Sequence, residues 1–267
     1  MTFSLIGKTA LVTGGSKGIG AAAALSLSEA RAKVAICSRN AAELMATAAD
    51  IESRTGHRVL PVVADVTSQA DVDRMMQEVQ SSLGGVDILV NNAGAVGQFG
   101  SFEDIPIELY GSLYDLNVVS MVRLVKAVLP AMKGKQWGRI INISSENGLQ
   151  PDPDMTPYNL TKAAIINFSK SLSKSLGRYN ILVNSVSPAF IYTPLLAGML
   201  DDIAASRNIS KEEATLGFLS DKRPHIELKR AGRIDEVGAA IAFLASEGAS
   251  FITGTNLRVD GGSVASI

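Results

Sequence analysis

Lys8-Thr-Ala-Leu-Val-Thr13 runs straight into Gly14-Gly-Ser-Lys-Gly-Ile-Gly20, and an alanine-rich stretch of helical character follows. The first segment is short, apolar and β-branched, which reads as a buried strand. Glycines then let the backbone bend sharply and approach a ligand closely. The first amides of a helix beginning near Gly18 point at negative charge. Strand, glycine turn and helix start, in that order, read as a phosphate-binding turn, whereas the glycines alone would equally suit an ordinary tight turn. Their spacing, Gly-x-x-x-Gly-x-Gly, differs from the common dinucleotide fingerprint Gly-x-Gly-x-x-Gly, so the flanking strand and helix carry the reading.

Working outward, comparable apolar runs recur at residues 33–38, 59–64, 86–90, 139–143, 182–186 and 256–259, mostly separated by helical-looking stretches. Continuous apolar runs, in place of alternation, are what strands covered on both faces require. The expected fold is α/β: a doubly wound, Rossmann-type, seven-stranded parallel sheet with helices on both faces, in a single domain over residues 1–267. Gly14 follows the first run, Asp65 the third, Asn91 the fourth, Ser145 the fifth and Pro188 the sixth. The chemistry-bearing residues therefore gather at the carboxyl edge, where such sheets bind ligands. Residues 194–229 break the rhythm with helical-looking 195–205, a polar stretch 206–213 and helical-looking 216–229. This insertion reads as a cover over a binding site or as a surface helical pair.

Composition narrows the function. Of 267 residues, 46% are hydrophobic, and 25 basic against 26 acidic residues leave a net charge of -1. That balance favours neither nucleic acid nor an anionic membrane as partner. The single cysteine, Cys37, sits in an apolar run and excludes an internal disulfide. His57 and His225 are isolated from each other and from the cysteine, so no metal site is expected. The start has no basic or long apolar leader, and no segment offers the roughly 18 uncharged apolar residues of a span. A soluble, cytoplasmic protein is expected.

Tyr158 and Lys162 lie four positions apart in Pro157-Tyr-Asn-Leu-Thr-Lys162. If residues 157–177 are helical, as the spacing of Ala163, Ile166, Phe168, Leu172 and Leu176 suggests, the two share a face. An ammonium group beside a phenol lowers the phenol pKa from about 10 toward the range useful for proton transfer. Taken by itself the pair is also compatible with a surface contact.

With these residues in hand, the chain resembles the short-chain dehydrogenase/reductase family over essentially its whole length. Thr13-Gly14-Gly-Ser-Lys-Gly18-Ile-Gly20 is similar to the family's Thr-Gly-x-x-x-Gly-x-Gly turn, and Asn91-Asn-Ala-Gly94 to its Asn-Asn-Ala-Gly signature. Ser145 lies thirteen residues before Tyr158, the family separation, and Pro188-Ala-Phe-Ile-Tyr-Thr193 resembles Pro-Gly-x-x-x-Thr with Ala189 in place of glycine. The resemblance implies Asn117, Ser145, Tyr158 and Lys162 as catalytic residues. It implies Gly14, Ser16, Lys17, Gly18, Ile19, Gly20, Asn91, Ala93, Gly94, Pro188 and Thr193 along a nicotinamide dinucleotide, with Asp65 and Val66 at its adenine and Tyr158 and Lys162 at its nicotinamide end. The position after the second strand that usually carries an acid in NAD-binding proteins holds Ser38, followed by Arg39. With Lys17 this implies NADP(H) in preference to NAD(H), unless both cations are ordinary solvated charges.

The expected reaction is hydride transfer between the nicotinamide and a ketone or 3-oxoacyl carbonyl, with Tyr158 as proton donor and Ser145 hydrogen-bonding the same oxygen. Lys162 lowers the phenol pKa and binds ribose, and Asn117 supports a proton relay. A helix-capping role for Ser145 or Asn117 is the plainer alternative. The competing functions are an NAD(P)-dependent dehydrogenase of a sugar, steroid or other cyclic secondary alcohol, and a nucleotide-sensing protein without turnover. Asp152 and Asp154, near the expected mouth, either repel anionic substrates or form a solvated turn. The family usually forms tetramers, so a homotetramer acting on a small carbonyl or alcohol is expected.

Overall fold

The computed structural model describes residues 3–265; the outermost residues of the expected 1–267 unit lie outside the described residues. The strands are β1 (Thr9–Thr13), β2 (Lys33–Ser38), β3 (Val59–Val63), β4 (Ile88–Asn91), β5 (Gly138–Ile143), β6 (Ile181–Pro188) and β7 (Asn256–Val259). The α-helices are α1 (Gly18–Glu29), α2 (Ala41–Thr55), α3 (Gln69–Leu83), α4 (Ile107–Tyr114), α5 (Ser120–Lys135), α6 (Thr156–Leu176), α7 (Pro194–Arg207), α8 (Lys211–Lys222) and α9 (Ile234–Ala245).

All seven strands join one sheet in the order β3-β2-β1-β4-β5-β6-β7. Every pairing is parallel, as the crossover helices demand. The order reverses between β1 and β4, which opens a crevice above their carboxyl ends. Pro61 cannot donate to a ladder, and its strand lies at the sheet edge, where one side needs no partner.

Strand side chains alternate between two cores. Ala10, Val12, Val34, Ile36, Val90 and Ile141 pack against Ala23 and Leu27 of α1, Leu44 of α2, and Ile241 and Leu244 of α9. Leu11, Ala35, Cys37, Leu89, Ile140 and Val183 pack against Val72 and Met75 of α3, Leu124 and Val128 of α5, and Leu176 of α6. Each fully buried Leu or Ile contributes roughly 1.5–3 kcal/mol. Helices α1 and α9 meet closely at Gly238 of α9: a Cβ there would stand 2.8 Å from the Ala22 carbonyl oxygen.

Several expected boundaries move, most by one or two residues. Val86 and Asp87 precede β4, which starts at Ile88 and runs to Asn91. The insertion also divides differently from its apolar pattern. Ser210 caps α8 in a reciprocal box with Glu213, so Lys211 to Glu213 are helical, and α8 stops at Lys222 before Pro224. Residues 223–229 are therefore not helical. A small third core of Phe190, Leu196, Leu200, Leu219 and Ile226 ties the insertion to the end of β6. Phe190 and Phe218 stack with centroids 4.8 Å apart.

Candidate active site

The glycine turn is held from outside by β4. Asn92 Nδ2 donates to the carbonyl oxygens of Thr13 (2.9 Å) and Gly14 (3.1 Å), and the Thr13 hydroxyl accepts from the backbone amides of Asn92 and Ala93, each at 3.0 Å. Gly14 adopts a left-handed φ of 62°, and a Cβ there would lie 2.8 Å from Asn92 Nδ2. A Cβ on Gly20 would overlap the Gly14 carbonyl oxygen. Neither Thr13 nor Asn92 was a site residue in the sequence reading, although both stand inside the quoted motifs.

Helix α1 starts at Gly18 with no acidic residue in its first turn and no side-chain cap from Lys17, which leaves its leading amides available to an anion. Gly18 lies against Thr193, whose Cγ2 would be 3.6 Å from a Cβ at position 18. The turn after β1 and the segment after β6 thus border one space. Ile19 is half-buried against the first core. Thr193 also caps α7, accepting from the Leu196 amide, and Pro188 closes β6 opposite Val259.

At the end of β2 the expected cations do not both stand free. Lys17 Nζ lies 3.3 Å from Glu43 Oε1, and the Ser16 hydroxyl donates to Glu43 Oε2 at 3.4 Å. Ser38 donates to the Asn40 carbonyl oxygen, while Arg39 makes no salt bridge among the described residues. Asp65 accepts from the Thr67 amide and hydroxyl, which holds its carboxyl below the usual range, and Val66 is buried beside it. Asn91 points elsewhere than expected: its side chain is buried in the sheet and donates to Asn142 Oδ1 at 2.8 Å. Asn142 in turn donates to Ser169 of α6. Gly94 packs against Asn117, whose Oδ1 would be 3.0 Å from a Cβ there.

The Ser145, Tyr158 and Lys162 side chains converge above β5. Lys162 Nζ lies 5.3 Å from the centroid of the Tyr158 ring and donates to the Ile143 carbonyl oxygen at 2.9 Å. Burial draws its pKa down from 10.5 to about 8. The Ser145 hydroxyl stands beside the Tyr158 phenol and lowers its pKa; it donates to Asn147 Oδ1 at 3.4 Å and accepts from the Asn147 amide, so it also caps the short 3-10 turn Glu146–Gly148. Ser144 is committed differently, donating to the Lys162 carbonyl oxygen at 2.7 Å. The expected lowering of the Tyr158 pKa is reversed in the free chain. Burial raises it, the neighbouring Ser145 hydroxyl opposes that rise, and the Lys162 ammonium is engaged by the Ile143 carbonyl.

Asn117 sits in a π-helical turn, Asp115–Val119, between α4 and α5. Its Nδ2 donates to Ala95 O (2.9 Å) and Thr161 Oγ1 (3.0 Å), and its Oδ1 accepts from the Ala95 amide. It joins the segment after β4 to the residue before Lys162.

Of the acids near the mouth, Asp152 is tied down while Asp154 sits half-exposed in a turn. Asp152 is paired with Arg223, and Lys222 approaches Asp154 at 3.9 Å. Among the described residues no cluster of His, Cys, Asp or Glu has the makings of a metal site, and no helix is long and apolar enough to cross a membrane. His57 Nδ1 contacts the Ser28 carbonyl oxygen.

Sheet order, glycine turn and a Ser–Tyr–Lys cluster at the carboxyl edge define a class, the doubly wound oxidoreductases. The family model described as enoyl-(acyl carrier protein) reductase, of the short-chain type, matches residues 14–264. A D-beta-hydroxybutyrate dehydrogenase of Rhizobium meliloti is 34% identical over 96% of this chain and 98% of its own. A 3-oxoacyl-[acyl-carrier-protein] reductase of Chlamydia trachomatis is 36% identical over 98% of this chain and 99% of its own. The crystal structure of L-sorbose reductase from Gluconobacter frateurii, complexed with NADPH and L-sorbose, superposes with a TM-score of 0.94 at 31% identity, covering 100% of both chains. The chain belongs to the short-chain dehydrogenase/reductase family of oxidoreductases.

Proposed function

We propose that the protein is an NADP(H)-dependent oxidoreductase interconverting a ketone or 3-oxoacyl carbonyl and its secondary alcohol, with Tyr158 as proton donor. The observation that carries this is the convergence of Tyr158, Ser145 and Lys162 at the carboxyl edge that also bears the uncapped start of α1. The residues present fit a dinucleotide: the space beside Gly18 is one that a Cβ would narrow against Thr193, and the first turn of α1 carries no acid. Gly14, Ser16, Lys17, Gly18, Ile19 and Gly20 would hold its pyrophosphate, Asp65 and Val66 its adenine, and Ser38 and Arg39 its 2′-phosphate. Ala93, Gly94, Pro188 and Thr193 would border its nicotinamide half, together with the backbone at Asn91. NADPH complexes among the solved relatives support the choice of nucleotide.

When bound, the cofactor supplies or accepts the hydride. Tyr158 gives its proton to the carbonyl oxygen as charge develops there, and Ser145 donates a hydrogen bond to that oxygen. Lys162 would bind the ribose hydroxyls and stabilise the phenolate left on Tyr158. Asn117 fixes the helix beside Lys162 through Thr161, which suits a supporting part in returning the proton. Residues 194–229 cover the substrate as part of a single catalytic domain. An exposed apolar band on α4 and α6, with Ile107 and Leu160 75% and 59% exposed, supports assembly into a tetramer.

A second reading, an alcohol dehydrogenase using either nucleotide, is favoured by the Glu43 carboxylate that engages Lys17 and Ser16. Dissociation constants for NADPH and NADH separate the two. The central test is Tyr158→Phe. It should lower kcat roughly 10²–10⁴-fold on any carbonyl substrate while nucleotide affinity stays at the parental value. Parental turnover would overturn the proposal.

A further inference from the structure

The closest ion pairs between the insertion and the catalytic segment are made by one arginine. Arg223, just past α8, is 17% exposed and divides its guanidinium between two carboxylates. Nη1 and Nη2 donate to Asp152 Oδ1 and Oδ2 at 3.3 and 2.5 Å, and Nε lies 2.9 Å from Glu146 Oε1. Both carboxylates belong to the stretch between Ser145 and Tyr158, and the Glu146 contact is an ion pair in which Nε makes no hydrogen bond. Glu146 directly follows Ser145. The Asp152 side chain also accepts from Asn147 Nδ2 at 3.1 Å, and its carbonyl oxygen accepts from Asn159 Nδ2 at 2.6 Å, next to Tyr158. A planar, two-sided guanidinium can satisfy such a pair of carboxylates, whereas a lysine offers only a point charge. Glu146 is 5% exposed; burial raises its pKa while Ser263 and then Arg223 lower it, so removing the arginine would take away part of what offsets the burial of that carboxylate.

We propose that Arg223 is a positioning residue that docks the 194–229 insertion onto the Ser145–Tyr158 segment, so that one ion-pair network sets both the substrate cover and the proton-donating phenol. This rests on the catalytic reading of Ser145 and Tyr158. The charged groups around that phenol come from four elements. Lys162 stands on its own helix, Glu146 and Asp152 on the connecting segment and Arg223 at the end of α8. Asp260, after β7, bears on Glu146. Glu146 raises and Arg223 lowers the phenol pKa, so the two offset each other.

The test compares Arg223→Met, Arg223→Lys and the milder Asp152→Asn in the full chain with NADPH bound, using a carbonyl substrate found by screening. Arg223→Met should raise KM about tenfold with a smaller change in kcat, and move the pH-profile limb belonging to Tyr158 to higher pH. Chymotrypsin should cleave within 194–229 at least several times faster. Arg223→Lys should restore the pH limb and leave the cleavage rate elevated. Should Arg223→Met fail to fold, Asp152→Asn is expected to show the same KM and cleavage changes in lesser degree. Parental KM, pH limb and cleavage rate in the folded variants would overturn the proposal, as would a loss confined to thermal stability. Cleavage reports docking whatever the chemistry, so full activity of Tyr158→Phe would sink the catalytic reading alone.

Discussion

Lys162 keeps its ammonium group inside the protein against one carbonyl, that of Ile143, and is 6% exposed. The unfolded chain holds this proton up to about 10.5, the folded chain only up to about 8. Between those values the unfolded state binds more protons, so the folded state gains stability as pH rises from about 8 toward 10.5; below that window the burial penalty is present in full. At about 1.4 kcal/mol per unit the gain is at most about 3.5 kcal/mol. Thermal melts of the nucleotide-free protein should show the parent gaining on Lys162→Met across that window, and a constant gap between them would refute it. Much at this scale was legible. Ser145 and Ser144 are adjacent hydroxyls in sequence, and the separation from Tyr158 selected the one that meets the phenol. Glu43 and Arg223 were not legible, because each acts through a partner 26 or 71 positions away that no local pattern links to it.

Among the elements, the strands and the long helix α6 follow directly from apolar spacing, whereas α8 does not. Its apolar residues suggest a helix running through 229, but Pro224 lacks the amide that would continue the ladder, and Ser210 with Glu213 starts the helix earlier. Both signals stand in the sequence and outrank the spacing. Ser210→Ala should therefore remove about 1 kcal/mol of helix stability. Hydrogen exchange of α8 should quicken about fivefold, with α1 and α6 unchanged; an unaltered α8 would show that packing on Phe190 alone holds it. The π-turn at Asn117 was beyond reach of the sequence. One extra residue per turn leaves no mark on composition, and the contacts it accompanies are tertiary: the Asn117 side chain reaches Ala95 and Thr161 together.

Across the whole molecule, sheet order divides the work. Strands β1 to β3 present the glycine turn, Ser38 and Asp65, while β5 and β6 with α6 present Ser145, Tyr158, Lys162 and Pro188. The proposed assembly is testable at the same scale. Leu160→Glu places a charge in the exposed band of α4 and α6, and sedimentation should show a smaller species with the melting curve little changed. An unchanged sedimentation coefficient would rule that face out as a subunit contact.

The bonds from Asn92 to Thr13 and Gly14 span 79 and 78 positions. During synthesis the glycine-rich stretch leaves the ribosome long before β4 does, so a nascent chain carries the whole motif while lacking the side chain that shapes it. The turn takes its full shape only once β4 has found its place beside β1.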